Sequence, residues 1–129
     1  MKKKEKVNII YISADIADEN LSGLLDEQER CCHTILSMNA CVEKVIVLTE
    51  IVTGDERLVL EKMRELMRSG YVNSVAVSDL ALVGDSIQEI FSFVGLAVEN
   101  KVKILIAKYP SETLEFNSAV DTLLKLIVS

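Results

Sequence analysis

Between residues 9 and 18 the chain reads IIYISADIAD, an apolar run that ends in small and acidic residues. It offers one aliphatic hydroxyl, Ser13, and two carboxylates, Asp15 and Asp18. That set admits two chemistries. A serine hydroxyl attacks a phosphoester when a base or a group of cations activates it, and neighbouring carboxylates can gather around Mg²⁺. Glu50, Asp79 and Asp85 stand after later apolar runs and extend the second possibility. The one histidine, His33, lies between Cys32 and Thr34 in a helical pattern and reads as an ordinary helix residue rather than a base or metal ligand. No Gly-x-Gly-x-x-Gly or Gly-Lys-Ser/Thr phosphate cradle is written in the chain, whose five glycines stand far apart.

For such residues to meet, several apolar runs must end at one place. Short β-branched and aliphatic runs predict strands over 7–12, 42–48, 74–77 and 102–107. A helical pattern follows each. Residues 24–38 alternate Leu24, Leu25, Cys31, Cys32, Ile35 and Met38 with Asp26, Glu27, Glu29 and Arg30. Residues 55–68 repeat the pattern and stop at Gly70. Residues 86–98 are more apolar, which predicts fuller burial than the neighbouring helices have. A last helix is expected over 111–129, with Ser111 in capping position after Pro110. Its apolar residues cover more than one face, and each Leu or Ile left exposed forgoes roughly 1.5–3 kcal/mol of burial. Self-association through this helix is therefore expected.

Strands alternating with helices imply right-handed crossovers, so the fold class is α/β. The expected architecture has three layers, with helices flanking a mostly parallel sheet of four to five strands. Sites in such sheets form at the carboxyl ends of the strands, which points to the loops after Ile12, Leu48, Val77 and Ala107.

Composition narrows the function classes. A chain of 129 residues is long enough for one domain, 1–129, with a core that needs no disulfide or metal. Its net charge of −6 opposes unspecific attraction to a phosphate backbone. The one basic cluster, Lys2, Lys3, Lys4 and Lys6, reads as a solvated tail. Cys31, Cys32 and Cys41 lack the spacing of a zinc site or a disulfide framework and are expected to be reduced thiols. No apolar stretch approaches the roughly 18 residues of a membrane span, so the expected location is cytoplasmic, away from any membrane.

Taken in order, the loops resemble a known family. Tyr11-Ile-Ser-Ala-Asp15, followed by Leu-Leu-Asp-Glu-Gln28-Glu-Arg-Cys on a helix, resembles the start of the serine recombinase (resolvase/invertase) N-terminal catalytic domain. There a first strand ends in Tyr-x-Arg-x-Ser and a Gln lies on the next helix. Glu50-Ile-Val-Thr-Gly54 is similar to the acidic-x-x-Ser-Gly stretch after the family's second strand. Arg57 answers the Arg of its Arg-Pro pair, at shorter spacing and with Leu58 in place of Pro. SVAVSDLALVGDSIQEI resembles the third strand and its active-site loop, VKILIAKYP the fourth strand, and the last helix the start of the dimerisation helix.

The resemblance implies a resolvase catalytic-domain-like fold whose chemistry is attack by a serine hydroxyl on a DNA phosphodiester, with arginines holding the phosphate. In that alignment the nucleophilic Ser is replaced by Asp15, and the Arg two residues before it by Ser13. The Asp-Arg pair of the third loop becomes Ala81 and Leu82, and the later Arg becomes Asp85. Tyr11, Gln28, Ser86 and Arg57 keep their type. Exchanging an Arg for Asp about 4 Å from a phosphate oxygen turns roughly −4 kcal/mol into +4 at an effective dielectric near 20. Ser13 as a displaced nucleophile would keep its face of the strand but move some 6–7 Å.

The expectation is therefore a pseudoenzyme without cofactor or metal, acting as a homo-oligomer (dimer or tetramer) or by pairing with an active recombinase or DNA. Phe91, Phe93, Val94, Leu123, Leu124 and Ile127 are the expected interface. Nothing in the chain resembles a helix-turn-helix or zinc-bearing DNA-binding module. The alternative is a flavodoxin- or receiver-like acidic domain binding Mg²⁺ through Asp15, Asp18, Asp79 or Asp85.

Overall fold

The computed structural model describes residues 6–39 and 43–108. In chain order the elements are β1 (Val7–Asp15), α1 (Leu21–Met38), β2 (Val45–Val52), α2 (Leu58–Arg68), β3 (Val72–Val77), a short 3₁₀ turn (Leu80–Val83), α3 (Ile87–Glu99) and β4 (Lys103–Ile106). The strands form one parallel sheet in the order β2-β1-β3-β4. The expected helix over 111–129 and Cys41 lie outside the described residues.

The strand order explains the layers. The chain steps from β1 outward to β2, then back across β1 to β3 and on to β4. Right-handed crossovers in opposite directions place their helices on opposite faces. Accordingly, α1 covers one face over Ile10, Ile12, Ala76 and Leu105. The larger core lies on the other face, where α2 and α3 bury Met63, Met67, Phe93, Val94 and Ala97 against Ile9, Tyr11, Val75, Val77 and Ile106. The reversal of direction falls between β1 and β3, which is where an open α/β sheet leaves a crevice.

One expectation needs correction and another holds. β1 runs on to Asp15 and β2 to Val52, three and four residues beyond the apolar stretches that announced them. The ladder pairs Ser13 with Glu50 and Asp15 with Val52, so backbone hydrogen bonding continues where the side chains have turned polar. α3, as expected, is buried more fully than its neighbours, with four of its 13 residues buried against three of 18 in α1 and three of 11 in α2. Ile90, Phe93, Val94 and Ala97 face the sheet, whereas Ile87, Phe91 and Val98 stay exposed, because a helix on the outside of a layer has one stripe to bury.

Local signals end the helices as expected. α2 stops at Gly70, whose φ of +83° is the left-handed conformation that a β-carbon would disfavour. α3 starts at Ser86, whose hydroxyl accepts the Glu89 amide at 3.2 Å. Gly84 keeps the preceding loop pressed to this helix, since a β-carbon there would lie 2.7 Å from Cβ of Glu89. At the opposite end of the sheet, buried Asn8 accepts from Ser74 Oγ at 2.6 Å and from Asn73 at 2.9 Å, and donates to the Glu43 carbonyl at 2.7 Å.

Candidate functional site

The carboxyl end of β1 is the natural place for a site, and its side chains alternate between the two faces. Tyr11 and Ser13 point toward α2 and α3, with Glu50 beside Ser13 on β2. Glu50 is 4% exposed and accepts three hydrogen bonds. The Tyr11 hydroxyl donates to Oε1 at 2.5 Å, the Leu60 amide to the same oxygen at 3.1 Å, and the Val59 amide to Oε2 at 2.8 Å. The carboxylate thus satisfies orphan amides in the first turn of α2, where the helix dipole favours negative charge. Glu50 is not a free acid at the mouth, as its sequence position had implied. It is a buried strand residue that ties β1 and β2 to α2.

This environment acts on Tyr11. Burial, then the hydrogen bond to Glu50 and its negative charge, raise the phenol well above its ordinary value. The Ser13 hydroxyl and the Arg57 charge pull weakly the other way. The phenol remains protonated and serves as a donor. Ser13 is 4% exposed, and its backbone is held from the other face by Gln28 on α1. The Gln28 amide accepts the Ser13 N–H at 2.9 Å and donates to the Ser13 carbonyl at 2.8 Å, in the manner of one more strand residue.

Arg57 precedes the first turn of α2, and its charge reaches Tyr11. Nη1 donates to the Leu82 carbonyl at 2.9 Å, Nη2 is paired with the Asp85 carboxylate, and Nε is buried without a partner. The cleft alongside, about 380 Å³, is lined by Asp55, Glu56, Glu61, Asp85 and Glu89 as well as Arg57 and Arg64. Ala81 is exposed, and its amide donates to Asp79 Oδ1 at 3.0 Å to cap the 3₁₀ turn.

Asp15 ends β1 exposed, and its carboxylate accepts the Ala17 amide at 2.8 Å, two residues on. Asp18 does the same for Asn20 at 3.1 Å. Asp79 is further paired with Lys108 at 3.2 Å, and Asp85 with Arg57. Each of the four acids offered for Mg²⁺ is thus engaged in its own loop or ion pair. No group of three or more metal-ligating side chains converges among the described residues. His33 is exposed and lies 3.3 Å from Glu29 on its own helix. Cys31 and Cys32 are free thiols, and burial, with smaller contributions from Cys31 and Glu29, pushes the Cys32 thiol up to about 12.

The structure therefore brings Tyr11, Ser13, Glu50, Arg57, Leu82 and Asp85 to one mouth, with Gln28 behind it, and leaves Asp15 at the rim. Three solved structures have this arrangement of strands and helices. The N-terminal catalytic domain of TP901-1 integrase superposes with a TM-score of 0.69 at 16% identity, covering 95% of this chain and 93% of that one. The C-terminal catalytic domain of ISC1926 TnpA, an IS607-like serine recombinase, gives 0.61 at 18% identity over 92% and 80%. A resolvase family site-specific recombinase from Streptococcus pneumoniae gives 0.60 at 16% identity over 95% and 87%. This is the serine recombinase catalytic fold. No protein-family model and no curated protein matches the chain.

Within this recombinase fold the expected interface divides. Phe93 and Val94 are 0% and 2% exposed and pack in the chain's own core, facing the sheet. Phe91, at 39%, is on the surface, while Leu123, Leu124 and Ile127 lie outside the described residues. Two contacts were not legible beforehand: the Leu82 carbonyl on Arg57, a backbone group that carries no sequence signal, and the pairing of Gln28 with the Ser13 backbone. Among the described residues no helix is long and apolar enough to cross a membrane.

Proposed function

We propose that this chain is a catalytically silent serine-recombinase-like domain that works by assembly in the cytoplasm, with copies of itself or with an active recombinase engaged on DNA. The observation that carries the reading is the Arg57–Asp85 pair. The guanidinium that the family resemblance assigns to a phosphate is occupied by a carboxylate of the same chain, standing where the resemblance expects another arginine. Asp15, in the nucleophile's place, is an acceptor turned onto its own loop and has no hydroxyl to offer.

Phosphoryl transfer needs donors aimed at the charge that builds on the phosphate, and losing one such donor typically costs about 10²–10³ in rate. Here several are missing together, and acidic residues line the adjoining cleft. With a net charge of −6, contact with DNA falls to a partner rather than to this domain. Light scattering on the purified chain at tens of micromolar tests the assembly half of the proposal. A dimer or tetramer is expected, and a species that stays strictly monomeric both alone and when mixed with an active recombinase rejects it.

A further inference from the structure

The two faces of the sheet are covered unequally. α2 and α3 share one face, whereas the other carries α1 alone, lying over β1, β3 and β4. Four strands about 4.8 Å apart place the outer two roughly 14 Å apart, and a helix with its side chains is about 10–12 Å across. One helix therefore leaves a strip of the α1 face bare, and the strip falls on β2. Its residues there are Val47, Thr49 and Ile51, which the ladder sets beside Ile10, Ile12 and Ala14. Ile10 and Ile12 on β1 are covered, at 0% and 3% exposure, and Ala14 is half-buried. Val47 and Ile51 are 37% and 43% exposed, and Ile16, just past β1, is 54% exposed. The strip is apolar, carries no charge, and is contiguous with the core under α1.

We infer that residues 109–129 of the same chain dock on this strip beside α1. The sequence supplies the matching surface: Phe116, Ala119, Val120, Leu123, Leu124 and Ile127 recur at i, i+3, i+4, i+7, i+8 and i+11, the pattern of one broad apolar helix face. Length supplies the reach. β4, which these residues follow, lies three strands from β2, roughly 14 Å, and five extended residues span up to about 16 Å. That leaves residues 114–129 for the strip. Docking there would bury Val47 and Ile51 under an element of the same chain while leaving other apolar residues of the segment for a partner. The inference rests on the uneven covering of the sheet and not on the site being silent.

Thiol accessibility in the full chain tests it. Thr49→Cys places a reporter in the middle of the strip, and the maleimide labelling rate of that peptide is read by mass spectrometry, with buried Cys32 as internal reference. The same reporter is then measured with Leu123→Asp and Leu124→Asp added. Labelling at least about tenfold faster in the charged variant, equivalent to about 1.4 kcal/mol of closure, is the expected result. Equal rates overturn the inference. Protection that fades on dilution assigns the cover to a second copy and overturns docking within one chain. A failed light-scattering test of assembly leaves this measurement untouched, so the two readings fail separately.

Discussion

Replacing Glu50 with alanine would strand three donors in a place water scarcely enters: the Tyr11 hydroxyl and the amides of Val59 and Leu60. A hydrogen bond to a charged group is worth about 1.5–3 kcal/mol. Summing three overshoots, because removing the carboxylate also removes its own desolvation cost. Breaking one partner out of a buried charged cluster typically costs about 3–5 kcal/mol. The same range is expected here, a large share of the roughly 5–15 kcal/mol that holds a domain together. Glu50→Gln keeps the shape and one good acceptor but turns an N–H₂ toward a donor, so about 1–3 kcal/mol is expected. Urea unfolding followed by far-UV circular dichroism near neutral pH measures both. Tyr11→Phe and its double mutant with Glu50→Gln should reveal a coupling of about 0.5–3 kcal/mol, the range for residues in contact. If Glu50→Ala stays within about 0.5 kcal/mol of wild type, as surface substitutions do, the carboxylate does not tie the strands to α2 and the reasoning fails.

Other predictions follow from the same contacts. Tyr11 and Cys32 both have their acid ionisation raised by burial, so their contribution to stability is fully present below the unfolded values and is lost as pH rises. Unfolding free energies from urea titrations should therefore fall from about pH 9 upward, by up to about 1.4 kcal/mol per pH unit for each group, and Cys32→Ala should flatten the first part of that fall. Asp85→Ala should cost less than about 1 kcal/mol, since that carboxylate is 58% exposed. Arg57→Ala should cost more than Asp85→Ala, because it also strips the Leu82 carbonyl of its donor; thermal melts of the two variants separate these effects. Ser86→Ala removes the cap of α3 and should cost about 1 kcal/mol by the same assay.

The order of elements was legible because apolar periodicity changes from two to between three and four at each boundary, and Gly70 and Ser86 mark their helix ends by backbone chemistry. The ends of β1 and β2 were not. Ser13, Asp15, Glu50 and Val52 continue a ladder whose cause is backbone pairing with a neighbour distant in sequence. That is also why Glu50 reads as a loop acid in the chain and as a buried acceptor in the fold. Which side of α3 is buried was hidden for a related reason. α3 is apolar on several sides, and only the position of the sheet selects which side is inward. At the mouth, Tyr11, Gln28, Arg57 and Asp85 were named through the family resemblance, but the pairing of Arg57 with Asp85 depends on how the loop before α3 lies against α2.

The most direct test of the central claim offers purified chain a pool of nicked DNA duplexes, on which an attacking serine would remain trapped as a phosphoserine adduct, and looks for that adduct by denaturing electrophoresis and mass spectrometry. No adduct is expected under any salt or metal condition, with or without Asp85→Arg. A covalent protein–DNA species formed by the unaltered chain and lost with Ser13→Ala would contradict the claim.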